Sequence, residues 1–402
     1  MKTLERKKLL VNALTEEVRE LIRNSTGEQT DEQIRDFIDD RLPAHPDRGV
    51  LQPKELMLVA ETVFNRTRRE LSVLQPLADD PEITEIMVNG KDDIFIERNG
   101  IAKRVDVYFE NAEELEDVIR RIAAKVHREV NELSPILDAR LLDGSRVNAV
   151  YKNIAIGGPT LTIRRFPRTA ITMNDLLSYG SITSEAANFL TTLVKAGYNI
   201  FVSGGTSSGK TTFLNALSNF IPKDERVVTI EDTAELQLIG IDNLVRLECR
   251  GASLEGRGEI NMRQLIKSSL RMRPNRIIVG EVRGEEVLDM IQAMNTGHAG
   301  SLSTGHGNSP VGMIYRLEAM FLQAADFPIS AIRRQIAEGL DIIVHLGRVP
   351  GGGRAVLEIA EIIGFSDGEI SLSTLFKRDP KTGLVKIAEL HHQEKLLLGG
   401  FI

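Results

Sequence analysis

The sequence predicts an α/β domain in its second half, preceded by an α+β domain and an N-terminal helical region. From residue 182 onward, short apolar strands alternate with amphipathic helices. Residues 76–166 show the two-residue alternation of half-buried strands, and residues 1–75 repeat apolar positions at helical spacing. A chain of 402 residues has room for two or three such domains at roughly 100 to 200 residues each.

Composition restricts the function classes. Hydrophobic residues make up 42% and charged residues 27%, which is typical of soluble globular proteins and argues against wholesale disorder. The net charge of −7, with 5% aromatic residues and no Trp, disfavours nucleic acid as the main partner. Cys249 is the single cysteine, which excludes an intramolecular disulfide and a thiolate metal cluster and fits a reducing compartment.

The N-terminal segment MKTLERKK is basic but does not resemble a secretory signal, because Glu16 and Glu17 follow before any apolar core. No apolar run approaches the roughly 20 residues that cross a bilayer. We therefore expect a cytoplasmic protein without direct membrane insertion.

Three helices are predicted in the N-terminal region. Thr15 precedes an acidic turn and predicts a helix start. Thr30 and Gln33 form a capping box for the second helix, which Pro43 ends. Pro53 suits the first turn of a third helix.

The next domain, 76–166, begins with the strands ITEIMVNG, DIFIER and IAKRVDV, the last two joined by a type I′ turn at Asn99-Gly100. A helix AEELEDVIRRIAAKVHREV and the strands LLDGSRVNAVY and TLTIRRF follow. Residues 167–181 contain Pro and Gly and are predicted to be a linker.

The last domain, 182–402, begins with the helix SEAANFLTTLVKAG and the strand NIFVSG. The helix TTFLNALSNF, the strands RVVTIE and RIIVGE, the helix EEVLDMIQAM and the strand SLSTGH come next, and DIIVHLGRV and AVLEIAEII complete the sheet. This alternation predicts a largely parallel sheet covered by helices.

Residues 204–211, GGTSSGKT, match the pattern GxxxxGKT between an apolar strand and a helix. Backbone N–H groups at the helix N-terminus would surround phosphates, Lys210 would reach the β- and γ-phosphates, and Thr211 would ligate Mg²⁺. A glycine-rich turn that only caps a helix is the alternative. ATP and Mg²⁺ are therefore the predicted cofactors, and the predicted nucleotide-binding residues are Gly205, Thr206, Ser207, Ser208, Gly209, Lys210, Thr211 and Thr212.

Carboxylates end two further strands. RVVTIEDTAEL places Glu231 and Asp232 at a strand end, and RIIVGEVRG places Glu281 at another. Hydrolysis needs an acid beside the metal and a base for water. The usual Walker B aspartate is missing and Gly280-Glu281 stands in its place, so the base is open between Glu231 and Glu281. A solvated strand end or a helix cap is the alternative for each acid.

Two histidines, His298 and His306, lie in the stretch NTGHAGSLSTGHGNSP. His306 directly follows a short strand, from which an imidazole could hydrogen-bond the γ-phosphate, although a structural role is equally open. Zinc is disfavoured because ligands at suitable spacing are lacking. His391 and His392 fall in a charged tail and are assigned no role.

A γ-phosphoryl transition state calls for an arginine finger. Arg140 and Arg146 flank the turn Asp143-Gly144, where a domain edge could present them, and a solvated charged face is the alternative. The sequence contains two clusters: Arg271, Arg273, Arg276 and Arg283 near the Glu281 strand, and Arg140, Arg146, Arg164 and Arg165 in the preceding domain.

Four sequence motifs together resemble the type II/IV secretion ATPase superfamily: GGTSSGKTT, TIEDTAEL, LRMRPNRIIVGEVRG and TGHAGSLSTGHGNSP. There they are called the Walker A, Asp box, atypical Walker B and His box motifs. The sequences of these motifs are most similar to those of the CpaF-like ATPases of Tad/Flp pilus assembly, with type IV secretion ATPases as near relatives. The resemblance covers roughly residues 70–365. The tetracysteine zinc motif of type II secretion and many pilus-extension ATPases is absent, which disfavours those branches.

The resemblance implies a hexameric ring in which ATP lies between a PAS-like N-terminal domain and a RecA-like C-terminal domain. It implies that Glu281 is the catalytic Walker B glutamate, Glu231 the Asp box glutamate beside the metal, and His306 a nucleotide-sensing residue. It also implies that N-domain arginines reach the nucleotide: Arg140, Arg146 and Arg164.

The leading functional hypothesis is a motor that hydrolyses ATP to power pilus assembly or protein secretion through an inner-membrane platform protein. Such an enzyme would be peripheral to the inner membrane through that partner. Three alternatives stay open: a nucleotide-gated scaffold with little hydrolysis, a type IV secretion ATPase, and a P-loop kinase for a small substrate. The separate N-terminal domain, the paired acidic strands and the His box count against the kinase.

Overall fold

A computed structural model shows two compact units, Met1–Arg168 and Thr169–Ile402, which are described separately. The finer division into four segments stays a prediction. The structure describes residues 2–25, 27–49, 51–98, 101–126, 128–141, 143–165, 170–251, 258–349, 353–379 and 381–402.

The first unit begins with a small helical bundle that has its own apolar core. The Thr30–Gln33 capping box and the start of a helix at Pro53 are confirmed. The predicted helix start at Thr15 is wrong: Thr15 lies inside the first helix, where its hydroxyl donates to the Val11 carbonyl oxygen at 2.7 Å. The helices are α1 (Lys2–Asn24), α2 (Asp31–Arg41) and α3 (Pro53–Arg68), with 3₁₀ turns at Leu42–Ala44, Pro46–Arg48 and Ser72–Leu74.

The rest of this unit is an antiparallel six-stranded sheet covered by a helix. Its strand order is β3-β2-β1-β6-β5-β4. The predicted strands are present, and β4 is an additional edge strand. The predicted helix ends at Lys125, and the turn at Asn99-Gly100 lies outside the described residues. The elements are α4 (Gln75–Asp79), β1 (Ile83–Asn89), β2 (Ile94–Arg98), β3 (Ile101–Arg104), α5 (Ala112–Lys125), β4 (Ile136–Arg140), β5 (Arg146–Val150) and β6 (Thr160–Arg164).

The second unit contains a nine-stranded mixed sheet between two layers of helices. Its elements are α6 (Met173–Ser178), α7 (Ser184–Lys195), β7 (Ile200–Gly204), α8 (Lys210–Ser218), β8 (Val227–Glu231), β9 (Leu244–Glu248), α9 (Met262–Ser269), β10 (Arg276–Val279), α10 (Val287–Asn295), β11 (Leu302–His306), α11 (Pro310–Ala324), α12 (Ile329–Gly339), β12 (Ile342–Arg348), β13 (Arg354–Ser366), β14 (Glu369–Asp379), β15 (Gly383–Lys386) and α13 (Glu394–Leu398).

The strand order of this sheet is β15-β14-β13-β12-β7-β11-β10-β8-β9. The six strands from β12 to β9 are parallel, and β13 to β15 continue as an antiparallel meander. Ile200 and Val202 pack into the core beneath α6 to α8, whereas Phe201 points into the opposite core beneath α9 to α12. The α/β prediction is therefore confirmed.

Two segments differ from their sequence-based description. The predicted linker 167–181 contains α6, whose Met173 and Leu176 are buried in the core of the second unit. The two tail histidines, which were assigned no role, bind the buried Glu361. Its carboxylate accepts hydrogen bonds from the backbone N–H groups of His391 and His392, both at 2.8 Å, and the imidazole Nδ1 atoms lie 3.0 and 3.2 Å from it. These contacts attach the tail to β13.

Candidate functional site

The four motifs identified in the sequence meet at the carboxyl ends of four neighbouring parallel strands. In the order β7-β11-β10-β8, these strands lead into the phosphate-binding loop, His306, Glu281 and Glu231. The register pairs His306 with Gly204 and Val279 with Ile230. Because the carboxyl ends of parallel strands lie at the same edge of a sheet, this topology gathers residues up to 102 positions apart at one site.

The glycine-rich loop places a buried ammonium group at the start of α8. Gly209 has φ +93°, a left-handed conformation that favours glycine, and Lys210 is the first helical residue. Lys210 Nζ donates to the Gly205 carbonyl oxygen at 3.2 Å, and burial lowers its pKa. The buried Ser208 hydroxyl has no hydrogen-bond partner among the described residues. A helix N-terminus with an ammonium group and a spare hydroxyl suits a phosphate chain.

His306 connects Lys210 to Glu281. Its Nδ1 lies 3.3 Å from Lys210 Nζ, and its Nε2 lies 2.8 Å from Glu281 Oε1. Because Lys210 donates, Nδ1 is the accepting nitrogen and the ring proton of the neutral imidazole is on Nε2, facing the carboxylate. Burial and the Lys210 ammonium lower the pKa of His306, so the neutral ring prevails at pH 7.

Glu281 is held on its other side by an arginine. Arg283 Nη2 lies 2.7 Å from Glu281 Oε2, and its Nη1 lies 3.2 Å from Asp232 Oδ2. Of the arginines that cluster near the Glu281 strand in the sequence, Arg283 therefore lies at the site. Arg276 is instead structural, since it is buried, pairs with Glu225 and donates to the carbonyl oxygens of Val194 and Gly300.

Glu231 is the most buried acid of the site, with 3% of its surface exposed. Its Oε2 accepts hydrogen bonds from the backbone N–H groups of Glu235 at 2.8 Å and Leu236 at 3.0 Å. Its Oε1 lacks a partner within the described part of the chain. Burial raises the pKa of Glu231 to about 6, against the opposing effect of the two backbone donors. A buried carboxylate oxygen with spare acceptor capacity suits a cation.

The missing Walker B aspartate has a steric explanation. A Cβ built on Gly280 would lie 3.0 Å from Glu231 Cγ, which is closer than ordinary van der Waals contact. Gly280 is fixed between its neighbours, because its N–H donates to the Ile230 carbonyl oxygen and its own carbonyl accepts from the Thr304 hydroxyl. The side chain of Glu231 thus occupies the place that a residue-280 side chain would need.

The predicted N-domain arginines form a row in the first unit. Arg140 is paired with Arg146 across β4 and β5, and Arg146 is paired with Arg164 across β5 and β6. Directly paired residues of antiparallel strands share a face, so these three side chains lie next to one another at one end of the sheet. Arg140 Nε also donates to the Gly144 carbonyl oxygen at 3.3 Å. The sequence did not reveal this alignment, because β4 was not predicted.

Several polar residues around the site are not predicted by the sequence. A cleft of about 470 Å³ opens beside the phosphate-binding loop, and Asn308 and Arg316 line it together with His306. Arg316 lies on α11, a helix that was not predicted. The buried His345 on β12 contacts the Ser203 hydroxyl at 2.9 Å, just before the loop. Only the strand register could have brought Ser203 and His345 together.

Thr211 is the second residue of α8 and is half-buried beside Lys210; its role as a Mg²⁺ ligand stays a prediction. Together with the unpartnered Glu231 Oε1, the residues present fit the metal that accompanies a nucleotide. Clusters of three or more His, Cys, Asp or Glu side chains able to hold a metal ion by themselves are absent from the described residues. Within the same ranges, each helix is too short or too polar to cross a membrane.

The chain is similar to a known family and to known proteins. Residues 67–361 match the family described as "Type II/IV secretion system protein". Conjugal transfer protein TrbB of Rhizobium radiobacter is 35% identical over 71% of this chain and 86% of its own. Type IV secretion system protein VirB11 of Brucella suis is 33% identical over 72% and 88%.

A solved structure shares the fold. The Legionella pneumophila ATPase DotB is 21% identical, with a TM-score of 0.52 over 73% of this chain and 80% of that chain. The PAS-like and RecA-like assignments of the two domains remain predictions. The family match covers well over half of the chain, and the two relatives exceed 30% identity over most of their own lengths. The chain belongs to the type II/IV secretion system protein family.

Proposed function

We propose that this protein is an ATPase that hydrolyses ATP with Mg²⁺ and works as a hexameric motor. One observation carries the proposal: the phosphate-binding lysine, a neutral histidine and a strand-end glutamate form a continuous chain of contacts, Lys210–His306–Glu281, at 3.3 and 2.8 Å. A phosphate cradle alone only binds nucleotide. A carboxylate connected to it through an imidazole also provides a base for the attacking water.

Each residue has a distinct role in this proposal. The loop N–H groups and Lys210 hold the phosphates, and Glu281 accepts the proton of the attacking water. His306, with its proton on Nε2, lies between Glu281 and the phosphate site, 2.8 Å from Glu281 Oε1. Thr211 and Glu231 would hold Mg²⁺, which neutralises charge on the phosphate oxygens when bound. Arg140, Arg146 and Arg164 supply positive charge for the transition state from the first unit.

The proposal also covers the molecular machine that this ATP hydrolysis would drive. We place the chain among CpaF-like ATPases that drive Tad/Flp pilus assembly through an inner-membrane platform protein, on the resemblance of its motifs. A type IV secretion ATPase is the second candidate, favoured by the likeness to TrbB and VirB11. In both cases the protein is cytoplasmic and reaches the membrane through its partner.

Two measurements on the purified chain test the ATPase proposal. Phosphate release should require both ATP and Mg²⁺, and light scattering with nucleotide should give six times the 44.6 kDa of the chain. Absence of turnover would contradict the enzyme assignment, whereas a monomer or dimer at every nucleotide concentration would contradict the ring.

A cellular experiment separates the two machines. The gene is deleted from the source organism and complemented with wild type or with Lys210→Ala. Loss of surface pili that only wild type restores supports the Tad/Flp assignment. Intact pili with loss of protein or DNA transfer supports type IV secretion instead.

A further inference from the structure

We propose that Arg283 is a positioning residue for Glu281 and that Asp232 holds Arg283 in place for this task. The inference rests on the proposed ATPase function, in which Glu281 is the base. It adds a connection between the strand ends of β8 and β10 that the motifs alone do not describe.

Arg283 orients the carboxylate of Glu281. Arg283 directs two donors at one oxygen: Nε lies 3.0 Å and Nη2 2.7 Å from Glu281 Oε2. The other oxygen, Oε1, faces His306 Nε2 at 2.8 Å. The guanidinium thereby distinguishes the two oxygens. It binds Oε2 and leaves Oε1 beside His306, free to accept the proton of an attacking water.

Arg283 is itself held in place by two further contacts. Its third nitrogen, Nη1, lies 3.2 Å from Asp232 Oδ2, one residue beyond the end of β8. Its backbone is also fixed, because the N–H groups of Arg283 and Gly284 both donate to Glu286 Oε1, at 2.5 and 3.0 Å. A planar guanidinium held at Nη1 and at the backbone can present Nε and Nη2 in one orientation.

The ion pair between Arg283 and Asp232 is exposed to solvent, so its role in positioning Glu281 can be separated from any role in folding stability. The Arg283 side chain is 57% exposed and that of Asp232 is 43% exposed. Ion pairs this exposed contribute little to folding stability. Removing the guanidinium should therefore leave the fold intact while freeing the Glu281 carboxylate to rotate. Misplacing a reacting group by a small distance is costly for the chemical step, and leaves substrate binding largely unchanged.

The test compares ATP turnover of wild type with four variants of the full chain. For Arg283→Ala we expect kcat to fall between about 10-fold and 100-fold, with KM within about twofold and the melting temperature unchanged. Arg283→Lys should recover part of the kcat loss, because an ammonium can still donate to Oε2. Asp232→Asn should cause a smaller loss. The double variant Arg283→Ala/Asp232→Asn should be no slower than Arg283→Ala, because both changes remove one connected unit.

Arg263→Ala is the matched control. Arg263 also forms carboxylate pairs, with Glu285 and Asp289 at 2.9 and 2.7 Å, in a second cleft that Glu281 and Arg283 also line. Its kcat should stay near that of wild type. The inference is overturned if Arg283→Ala retains full kcat, if it raises KM alone, or if Arg263→Ala is equally slow. Wild-type protein without turnover would overturn the proposed function and this inference with it.

Discussion

The side chain of Glu231 fills the space above Gly280: its Cγ lies 3.0 Å from the position that a Cβ on residue 280 would take. The two residues end or follow neighbouring strands, β8 and β10. The glycine in the atypical Walker B motif thus leaves room for the side chain of the adjacent acid. The side chain of the buried Glu231, from the adjacent strand, occupies volume that the side chain of the usual aspartate would need.

Substitution of Gly280 tests this steric relationship. Gly280→Ala should destabilise the protein by about 1–3 kcal/mol, the usual cost of adding volume to a packed site, and should lower ATP turnover by displacing Glu231. Denaturant unfolding measures the first effect. Gly27→Ala is the control, since a Cβ there meets no atom within 4 Å. Equal stability of Gly280→Ala and wild type would show that Glu231 moves aside without cost.

The raised pKa of Glu231 predicts a pH-dependent stability. Because its pKa rises from 4.5 to about 6 on folding, the folded state holds the proton more tightly than the unfolded state. The resulting stabilisation is full below pH 4.5 and is lost as the pH rises through 6, by about 2 kcal/mol at 1.36 kcal/mol per pKa unit.

Glu231→Gln removes this titration while keeping an oxygen for the N–H groups of Glu235 and Leu236. The variant should therefore be more stable than wild type at pH 8 and equal to it near pH 4, measured by denaturant unfolding across that range. A stability difference that does not change between pH 4 and 8 would contradict the burial-driven shift.

Lys210→Ala removes the ammonium group that contacts Gly205 and His306. We expect ATP binding to weaken and kcat to fall by about two orders of magnitude or more, because the loop loses its charge toward the β- and γ-phosphates. Fluorescent-nucleotide titration and phosphate release measure the two effects. Lys223→Ala, a surface lysine of the same unit, should behave as wild type. Unchanged turnover in Lys210→Ala would refute the nucleotide-site assignment.

Glu281→Gln tests which carboxylate is the base. The amide keeps the volume of the carboxylate but cannot accept a proton from water, so ATP binding should persist while turnover is lost. Glu231→Gln should reduce Mg²⁺-dependent turnover less severely. Glu285→Gln provides a control at an exposed carboxylate near the site. An inactive Glu231→Gln combined with an active Glu281→Gln would reverse the two roles.

The arginine row in the first unit predicts complementation between subunits. Arg146→Ala protein and Lys210→Ala protein should each be inactive, and mixing them should restore part of the activity if one subunit supplies the arginine to the nucleotide of another. The measurement is turnover against mixing ratio. Lack of recovery at every ratio would indicate delivery within one chain, or an arginine without a catalytic role.

Local signals predicted much of the fold. The Thr30–Gln33 capping box and the strand before the phosphate-binding loop depend on neighbours in sequence, and both are present in the structure. The four motifs of the site were also visible, because each has a distinctive composition. The start of α1 was mispredicted, because Thr15 has the residue type of a helix cap but satisfies its hydroxyl within the helix.

Long-range relationships were not visible. Contacts such as Ser203 with His345, or Glu361 with the two tail histidines, depend on strand order and register rather than on local pattern. The edge strand β9 was missed because its residues are mostly half-buried and its apolar pattern is weak. The explanation for Gly280 likewise required the position of Glu231 on the adjacent strand.

The order β7-β11-β10 has a mechanical consequence. Strands in a sheet lie about 4.8 Å apart, so the strand leading to Lys210 and the strand leading to Glu281 are separated by about 10 Å, with the His306 strand between them. Backbone hydrogen bonds keep this spacing constant, and the sheet itself cannot act as an on–off switch. For the proposed ATPase, changes in the hydrolysis rate must then arise from side chains that rotate at the strand ends or from groups that arrive from outside the sheet.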